Sequence, residues 1–243
     1  RNFWLEFDIR NHFKLGPVKY HNVVASIKGT KYPDEYVIIS GHLDSYDVAT
    51  GGIDCGTGIG PMMEAARMIA LSGAKPKRTI LFVAFAGEEF GLLGAKSYVK
   101  THAKELGKIA NLFNRDGGPT PPVGISVPQA MYDDFVEVCK PVKEIRADYP
   151  FEVKVAKPFK RPTQSGGTDA SVFAVEGVPT FGFNTQDIKG YNFSYGEIWH
   201  TERDLYTKNI PEYQEHAATV TAVVALGIAN LSKQLSREGM HKK

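Results

Sequence analysis

Residues 79–94 read TILFVAFAGEEFGLLG, an apolar run followed directly by two acidic residues between glycines. The run Thr79–Ala86 carries no charge, which is typical of a strand covered on both faces. Tyr36–Ser40 is a second short apolar run of this kind. Between the two runs, Pro61–Leu71 places its apolar residues at helical spacing. The pattern therefore predicts a strand–helix–strand unit at the centre of a sheet.

The same alternation of strands and helices continues along the chain. Further strands are predicted at Phe3–Arg10, Val18–Lys28, Ile109–Asn114, Val123–Val127, Phe151–Val155 and Pro179–Phe183. Further helices are predicted at Leu92–Lys104, Tyr132–Ile145, Asp169–Val175 and Pro211–Leu235. Pro141 is expected to interrupt the second of these helices. We therefore expect one three-layer α/β domain over residues 1–243, with a mixed, mostly parallel sheet and helices on both faces.

The composition excludes several classes of protein. Lys and Arg number 29 against 27 Asp and Glu, without the basic excess of a nucleic-acid binder. The longest apolar run, Ile80–Ala86, is far shorter than the ~20 residues that span a bilayer. Cys55 and Cys139 have none of the spacing of a cysteine zinc site. The chain opens at Arg1 with no Met and no signal peptide, so we expect a fragment of a longer precursor.

Polar residues follow both central strands, at the sheet edge where ligands bind in such folds. His42 and Asp44 are two apart on extended chain, so both side chains face one side, which suits a metal ligand and its orienting carboxylate. Glu88 and Glu89 are adjacent and face opposite ways, so one can be a ligand and the other a general base. Taken alone, the pair His42 and Asp44 also fits a histidine that hydrogen-bonds a loop. The pair Glu88 and Glu89, taken alone, also fits an exposed acidic loop.

Three further residues extend this set of candidates. Asp116 follows the strand that ends at residue 114, and His200 lies in a turn before the last helix. Asp54 lies in the glycine-rich segment Thr50–Gly58. Such a loop can cradle phosphate at a helix N-terminus, but this one lacks the lysine of a P-loop. The glycines instead give the backbone freedom for Asp54 to point inward.

Together these residues resemble peptidase family M28, whose co-catalytic zinc enzymes include aminopeptidases, glutamate-carboxypeptidase-like enzymes and glutaminyl cyclases. The resemblance runs from about Asn22 to about Leu235 and is strongest in SGHLDS (40–45), AGEEFGLLG (86–94) and WHT (199–201). It implies the fold of the zinc exopeptidases and a peptide or dipeptide substrate. It also implies a secreted or periplasmic protein, with no signal for a particular oligomeric state.

The resemblance implies a centre with two Zn²⁺ ions per chain, for which Mn²⁺ or Co²⁺ could substitute. Asp54 would bridge the ions. The implied metal ligands are His42, Asp54, Glu89, Asp116 and His200. The implied catalytic residues are Glu88 as general base and Asp44 as the group that orients His42.

Three positions depart from the family pattern. Cys55 stands where relatives carry Asp or Asn, at a junction that is often cis, so we predict a cis Asp54–Cys55 bond. Arg115 replaces a smaller or apolar residue and is expected to point away from the metals. Trp199 precedes His200 where peptidases often have Tyr or His. Its indole could donate to the oxyanion or stack on the substrate.

The predicted substrate-contacting residues are Trp199, Asp169, Tyr191 and Tyr195. Asp169 fits a helix cap equally well, and the loop that carries both tyrosines could be a plain surface loop. A substrate carboxylate needs a cation, for which the candidates are Lys160, Arg161 and Lys189. A substrate amine needs an acid, which Glu88 or Asp169 could supply, so the residues leave the cleaved terminus open.

The sequence thus predicts a zinc-dependent exopeptidase, either an aminopeptidase or a dipeptidase. Three alternatives stay open. A carboxypeptidase would use the cations named above. A glutaminyl-cyclase-like acyltransferase with one zinc is suggested by the pair Trp199–His200, which occurs in those enzymes. A non-catalytic binding domain would keep the fold alone, since a fold does not imply a function.

Overall fold

A computed structural model describes residues 2–12 and 16–242, and Arg1, at which the predicted domain begins, lies outside them. The strands are β1 (Val23–Ile27), β2 (Tyr32–His42), β3 (Arg78–Phe85), β4 (Ile109–Asn114), β5 (Pro122–Pro128), β6 (Glu152–Ala156), β7 (Phe159–Lys160), β8 (Thr180–Phe181), β9 (Phe183–Thr185) and β10 (Met240–Lys242). The α-helices are α1 (Gly56–Leu71), α2 (Leu93–Thr101), α3 (Tyr132–Ile145), α4 (Asp169–Val175), α5 (Tyr195–Ile198) and α6 (Pro211–Asn230). None of the helices in this part of the chain is long and apolar enough to cross a membrane.

A five-stranded sheet in the order β1-β3-β2-β4-β8 forms the middle layer. Its strands run parallel except β1, which is antiparallel to β3. Alternate residues of β2 face opposite sides: Val37 and Ile39 pack with α1 and α6, whereas Ile38 packs with α2 and α4. The central strands are apolar throughout because both faces are covered. The predicted three-layer α/β fold is confirmed.

The predicted strand Pro179–Phe183 is divided between two sheets. Thr180–Phe181 pairs with β4, whereas Phe183–Thr185 pairs with β5 in a second sheet of order β6-β5-β9. The chain passes from one sheet to the other at Gly182. β10 and β7, which the sequence did not predict, form a separate two-stranded pair.

The N-terminal strand prediction is wrong. Phe3–Arg10 forms no strand, and only Val23–Ile27 of the predicted segment Val18–Lys28 does. The five large apolar side chains of residues 3–9 are between 72% and 89% exposed. Apolar composition alone does not make a strand, because the backbone groups also need a neighbouring strand to pair with.

Helix α1 begins five residues before the predicted Pro61. A proline inside a helix has no N–H to donate to the carbonyl four residues back, which here belongs to Thr57. Arg115 Nε donates to that carbonyl at 2.8 Å, so the group is satisfied and the helix continues through the proline. Pro141 likewise lies inside an uninterrupted α3.

The parallel strands bring the polar motifs to one edge of the sheet. His42 is the last residue of β2, and Asp116 follows the end of β4 by two residues. Glu88 and Glu89 follow the end of β3 by three and four residues. Because β2 lies between β3 and β4, the three strand ends are adjacent.

Candidate metal centre

Two clusters of metal-binding side chains lie at this edge of the sheet. The first cluster consists of His42, Asp54, Cys55 and Asp116, and the second of Asp54, Glu89 and His200. Within each cluster, one ligand atom from each residue lies within 4.8 Å of all the others. Asp54 belongs to both clusters. The structure therefore brings together the five predicted ligands and adds Cys55.

In the first cluster, His42 directs one ring nitrogen towards two carboxylates. Its Nδ1–H donates to the main-chain oxygen of Asp44 at 2.9 Å, which leaves Nε2 to face the cluster. Nε2 lies 2.9 Å from Asp54 Oδ1 and 3.4 Å from Asp116 Oδ1. Burial lowers the pKa of His42, but the contacts with Asp116 and Asp54 outweigh burial and raise it well above its ordinary value. The carboxylates thus create a site that favours a positive charge.

In the second cluster, His200 Nε2 lies 3.0 Å from Glu89 Oε2. The other carboxylate oxygen, Glu89 Oε1, is buried and has no hydrogen-bond partner within the described ranges. A buried carboxylate oxygen without a partner is costly, and a cation would satisfy it. The cluster therefore fits a metal ion on the chemistry of its own residues.

The ring of His200 is held between two aromatic side chains. Tyr46 stacks on it at 4.1 Å between ring centroids and 4° between ring planes, and Trp199 lies 4.1 Å away at 32°. The backbone of His200 has φ of +59°, a left-handed conformation that residues other than glycine adopt only when their surroundings enforce it. The sequence around Tyr46 gives no indication of its contact with His200, which lies far away in the chain, so sequence analysis did not identify Tyr46.

Asp54 is positioned by the glycine-rich loop between β2 and α1. The predicted cis peptide bond between Asp54 and Cys55 is present. A Cβ atom at Gly52 would lie 2.2 Å from the backbone of Leu205, so the close approach requires glycine. The hydroxyl of Tyr195 donates to Asp54 Oδ2 at 2.9 Å. Burial raises the pKa of Asp54, but the hydrogen bonds from His42 and Tyr195 outweigh it and lower the pKa.

Asp44 acts on a different partner from the one predicted. Its carboxylate Oδ1 is 4.0 Å from His42 Nδ1, and the main-chain oxygen of Asp44 accepts from the ring instead. The carboxylate accepts the backbone N–H groups of Glu88 and Glu89, both at 3.1 Å. Asp44 therefore orients His42 through its backbone and fixes the acidic pair through its side chain.

Asp204, which the sequence did not identify as a site residue, holds the backbone at Asp54 as Asp44 holds the backbone of the acidic pair. Its fully buried carboxylate accepts the backbone N–H of Ile53 at 2.6 Å and of Asp54 at 3.1 Å. Thr50 Oγ1 donates to the Asp204 carbonyl at 2.7 Å. Asp204 lies four residues after His200, so the segment that carries one candidate ligand holds the loop that carries another, Asp54.

Glu88 lies beside both clusters but belongs to neither. Both Glu88 and Glu89 line the cavity, and the Glu89 carboxylate also contacts His200. Glu88 is 9% exposed, and burial raises its pKa to about 8, with further contributions from Asp116 and Asp169. Glu89 therefore belongs to a cluster and Glu88 to neither, and their roles as ligand and base stay predictions.

A cavity of about 550 Å³ opens over the two clusters. Glu88 and the residues of the clusters other than Cys55 line it, and its walls also include Lys96, Tyr195, Trp199 and the segment Ser165–Thr168. Trp199 is half-exposed there. Two of the predicted substrate-contacting residues, Tyr195 and Trp199, therefore lie where a substrate could touch them.

The other two predicted substrate-contacting residues lie elsewhere. The described residues that line the cavity do not include Tyr191, whose hydroxyl bonds to Glu212 instead. Asp169 is fully buried at the start of α4 behind Thr168, and neither of its oxygens has a hydrogen-bond partner in the described part of the chain. It makes no capping hydrogen bond. Burial raises the pKa of Asp169 to about 7, so its negative charge is disfavoured.

The three predicted cations, Lys160, Arg161 and Lys189, do not line the cavity. Lys189 pairs with Glu212, and Arg161 Nε donates to the Val175 carbonyl at 2.6 Å. Lys160 lies on β7 and is absent from the cavity walls. Among the described residues that line the cavity, Lys96 is the one lysine or arginine.

Arg115 is turned away from the metal ligands, as expected. Its guanidinium donates to the carbonyls of Thr57, at 2.8 Å, and of Thr120, at 3.0 Å. Burial lowers its pKa to about 10, so the group stays charged at neutral pH. The carbonyls therefore accommodate a cation that would repel a metal ion if it faced the clusters.

Comparisons with known proteins identify the family of this chain. Residues 22–224 match the family described as Peptidase family M28. Carboxypeptidase Q of Rattus norvegicus is 32% identical over 231 residues, which cover 93% of this chain and 46% of that protein. A probable zinc metalloprotease of Pyrenophora teres f. teres is 37% identical over 123 residues, covering 47% of this chain and 26% of the relative.

A solved structure shares both the fold and part of the sequence. The peptidase M28 precursor from Shewanella amazonensis SB2B has a TM-score of 0.74 and 33% identity over 88% of this chain and 46% of that one. The chain thus spans about half the length of the curated relatives it matches.

The position of Asp204 leads to a prediction about metal affinity. Asp204→Asn replaces one carboxylate oxygen by an NH₂ group, which cannot accept from a backbone N–H, so either Ile53 or Asp54 loses its hydrogen bond. We expect the affinity for Zn²⁺ to fall at least about tenfold, as when a ligand's supporting contact is lost. Competition with a chelator measures this, with Glu202→Gln in the same exposed turn as control. Equal affinity in the two variants would contradict the assigned role.

Proposed function

The chain belongs to peptidase family M28, and from that premise we propose that it is a zinc-dependent exopeptidase that cleaves short peptides at the centre described above. The observation that carries the proposal is the pair of clusters that share Asp54, with Glu88 beside both and bound to neither. A shared carboxylate and a separate glutamate correspond to the two roles, ligand and base, that this hydrolysis needs.

The donor atoms support zinc at both clusters. We assign one ion to His42, Asp54 and Asp116 and a second to Asp54, Glu89 and His200. Imidazole nitrogens and carboxylate oxygens suit Zn²⁺, with Mn²⁺ and Co²⁺ as possible substitutes. The name of the relative from Pyrenophora teres f. teres, a probable zinc metalloprotease, supports the same metal. Two full donor sets favour two ions over the single zinc of a cyclase-like centre.

The residues of the chain then have separate tasks. When bound, the two ions would polarise the substrate carbonyl and lower the pKa of the attacking water. Glu88 accepts a proton from that water and passes it to the leaving amine. Its buried position favours this exchange, because burial makes a carboxylate a stronger base. Asp44 holds the backbone of Glu88, and so keeps the base at a fixed position above the centre.

The charges along the cavity support a substrate with a free carboxylate. Acidic residues surround the two clusters, and Lys96 supplies a cation elsewhere on the wall. We propose that Lys96 binds the carboxylate of a short peptide whose scissile carbonyl lies at the clusters. A dipeptide, with an amine at one end and a carboxylate at the other, fits this division of charge. The carboxypeptidase relative is consistent with such recognition.

The single catalytic domain and the secreted or periplasmic location stay predictions from the sequence.

Glu88→Gln tests the assigned base. The amide cannot accept the proton, so we expect kcat for dipeptide hydrolysis to fall by about 10²- to 10⁴-fold. Metal content should be unchanged, because Glu88 belongs to neither cluster. Steady-state kinetics and metal analysis of the same sample measure both, with Glu64→Gln as a surface control. Turnover at the native rate would refute this role for Glu88.

Lys96→Met tests the recognition of the substrate carboxylate. We expect kcat/KM for a dipeptide with a free carboxylate to fall about tenfold, equivalent to about 1.4 kcal/mol. The corresponding dipeptide amide has no carboxylate to lose and should change little. Lys100→Met, one turn further along α2, is the control and should leave both substrates unaffected. An equal loss for acid and amide would rule out the proposed contact.

A further inference from the structure

The thiol of Cys55 belongs to the first cluster of metal-binding atoms. Its Sγ lies within 4.8 Å of the ligand atoms of His42, Asp54 and Asp116, and each of these also lies that close to the others. Cys55 is only 2% exposed, so its thiol is shielded from solvent. Relatives carry Asp or Asn at position 55, as the sequence analysis noted. Cysteine offers a soft sulfur donor there, whereas Asp and Asn offer hard oxygen donors.

The surrounding backbone makes room for this sulfur. A Cβ atom at Gly58 would lie 2.5 Å from Cys55 Sγ, and one at Gly41 would lie 3.2 Å away. Both glycines therefore leave the space that the thiol occupies. The thiol donates to the carbonyl of Arg115 at 3.1 Å. The Arg115 guanidinium is directed to other carbonyls, so it is not paired with the sulfur.

We propose that Cys55 is a fourth ligand at the site of His42, Asp54 and Asp116, which then binds its ion through nitrogen, oxygen and sulfur. The inference rests on the proposed zinc function of the same centre. On binding, the S–H bond breaks, a sulfur–metal bond forms, and the proton passes to solvent. The hydrogen bond to the Arg115 carbonyl is given up in exchange.

A sulfur ligand makes the two sites unequal. Thiolate selects soft or borderline ions such as Cd²⁺ and Zn²⁺, whereas Mn²⁺ prefers oxygen. The second cluster, with Asp54, Glu89 and His200, contains no sulfur. The first site should therefore discriminate against Mn²⁺ more strongly than the second, which allows the two sites to be loaded with different metals.

Cobalt spectroscopy of the metal-free chain tests the proposal. Titration with Co²⁺ should produce a sulfur-to-cobalt charge-transfer band in the near ultraviolet. Cys139→Ser should keep this band and Cys55→Ser should lose it. Cys139 is the matched control, because it is the other of the two cysteines and is also 2% exposed, but lies on α3. Cys55→Ser should also lower the affinity for Cd²⁺ about tenfold or more while changing that for Mn²⁺ less than about threefold.

Zinc X-ray absorption of the unmodified chain gives an answer even if Cys55→Ser does not fold. The proposal predicts a sulfur neighbour at about 2.3 Å from zinc. Bound Co²⁺ without the charge-transfer band, or zinc without sulfur, would overturn the sulfur ligand and leave the proposed peptidase centre standing. A chain that binds neither ion would overturn both.

Discussion

The carboxylate of Asp54 is the point at which the two halves of the site meet. One oxygen lies 2.9 Å from His42 Nε2, the other accepts from Tyr195, and the residue belongs to both clusters. Negative charges held this close repel one another unless cations lie between them. The surrounding loops therefore hold these acidic groups close together, where a metal ion can bind them.

The loops achieve this by fixing one another. The carboxylate of Asp44, next to one histidine ligand, holds the backbone of Glu88 and Glu89, and the carboxylate of Asp204, next to the other, holds the backbone of Asp54. Each contact joins segments that are far apart in sequence. A change in any of these segments should therefore alter both candidate metal sites. The strand order of the sheet matters to the site because it brings these segments to one edge.

The sequence predicted those features that depend on neighbours along the chain. The apolar runs Tyr36–Ser40 and Thr79–Ala86 lie within β2 and β3 apart from one residue, and α4 has its predicted bounds. All five predicted ligands meet in the structure. His42 ends β2, and Glu89 and Asp116 follow the neighbouring strands β3 and β4, whereas Asp54 and His200 lie in loops. What the sequence missed depends on contacts over long distances: the stacking of Tyr46 on His200, the clamp made by Asp204, and the cation Lys96 on the cavity wall. The exposed segment Phe3–Arg10 was misread because its composition suits a strand while no strand pairs with it in the described ranges.

The number and position of bound ions test the central claim most directly. Crystals of the chain grown with Zn²⁺ and measured on both sides of the zinc absorption edge would locate each ion by its anomalous scattering. We expect two zinc peaks on either side of Asp54, roughly 3.5–4 Å apart as in other two-metal sites. One contacts His42 and Asp116, and the other contacts Glu89 and His200. A single peak, or zinc bound away from Asp54, would contradict it.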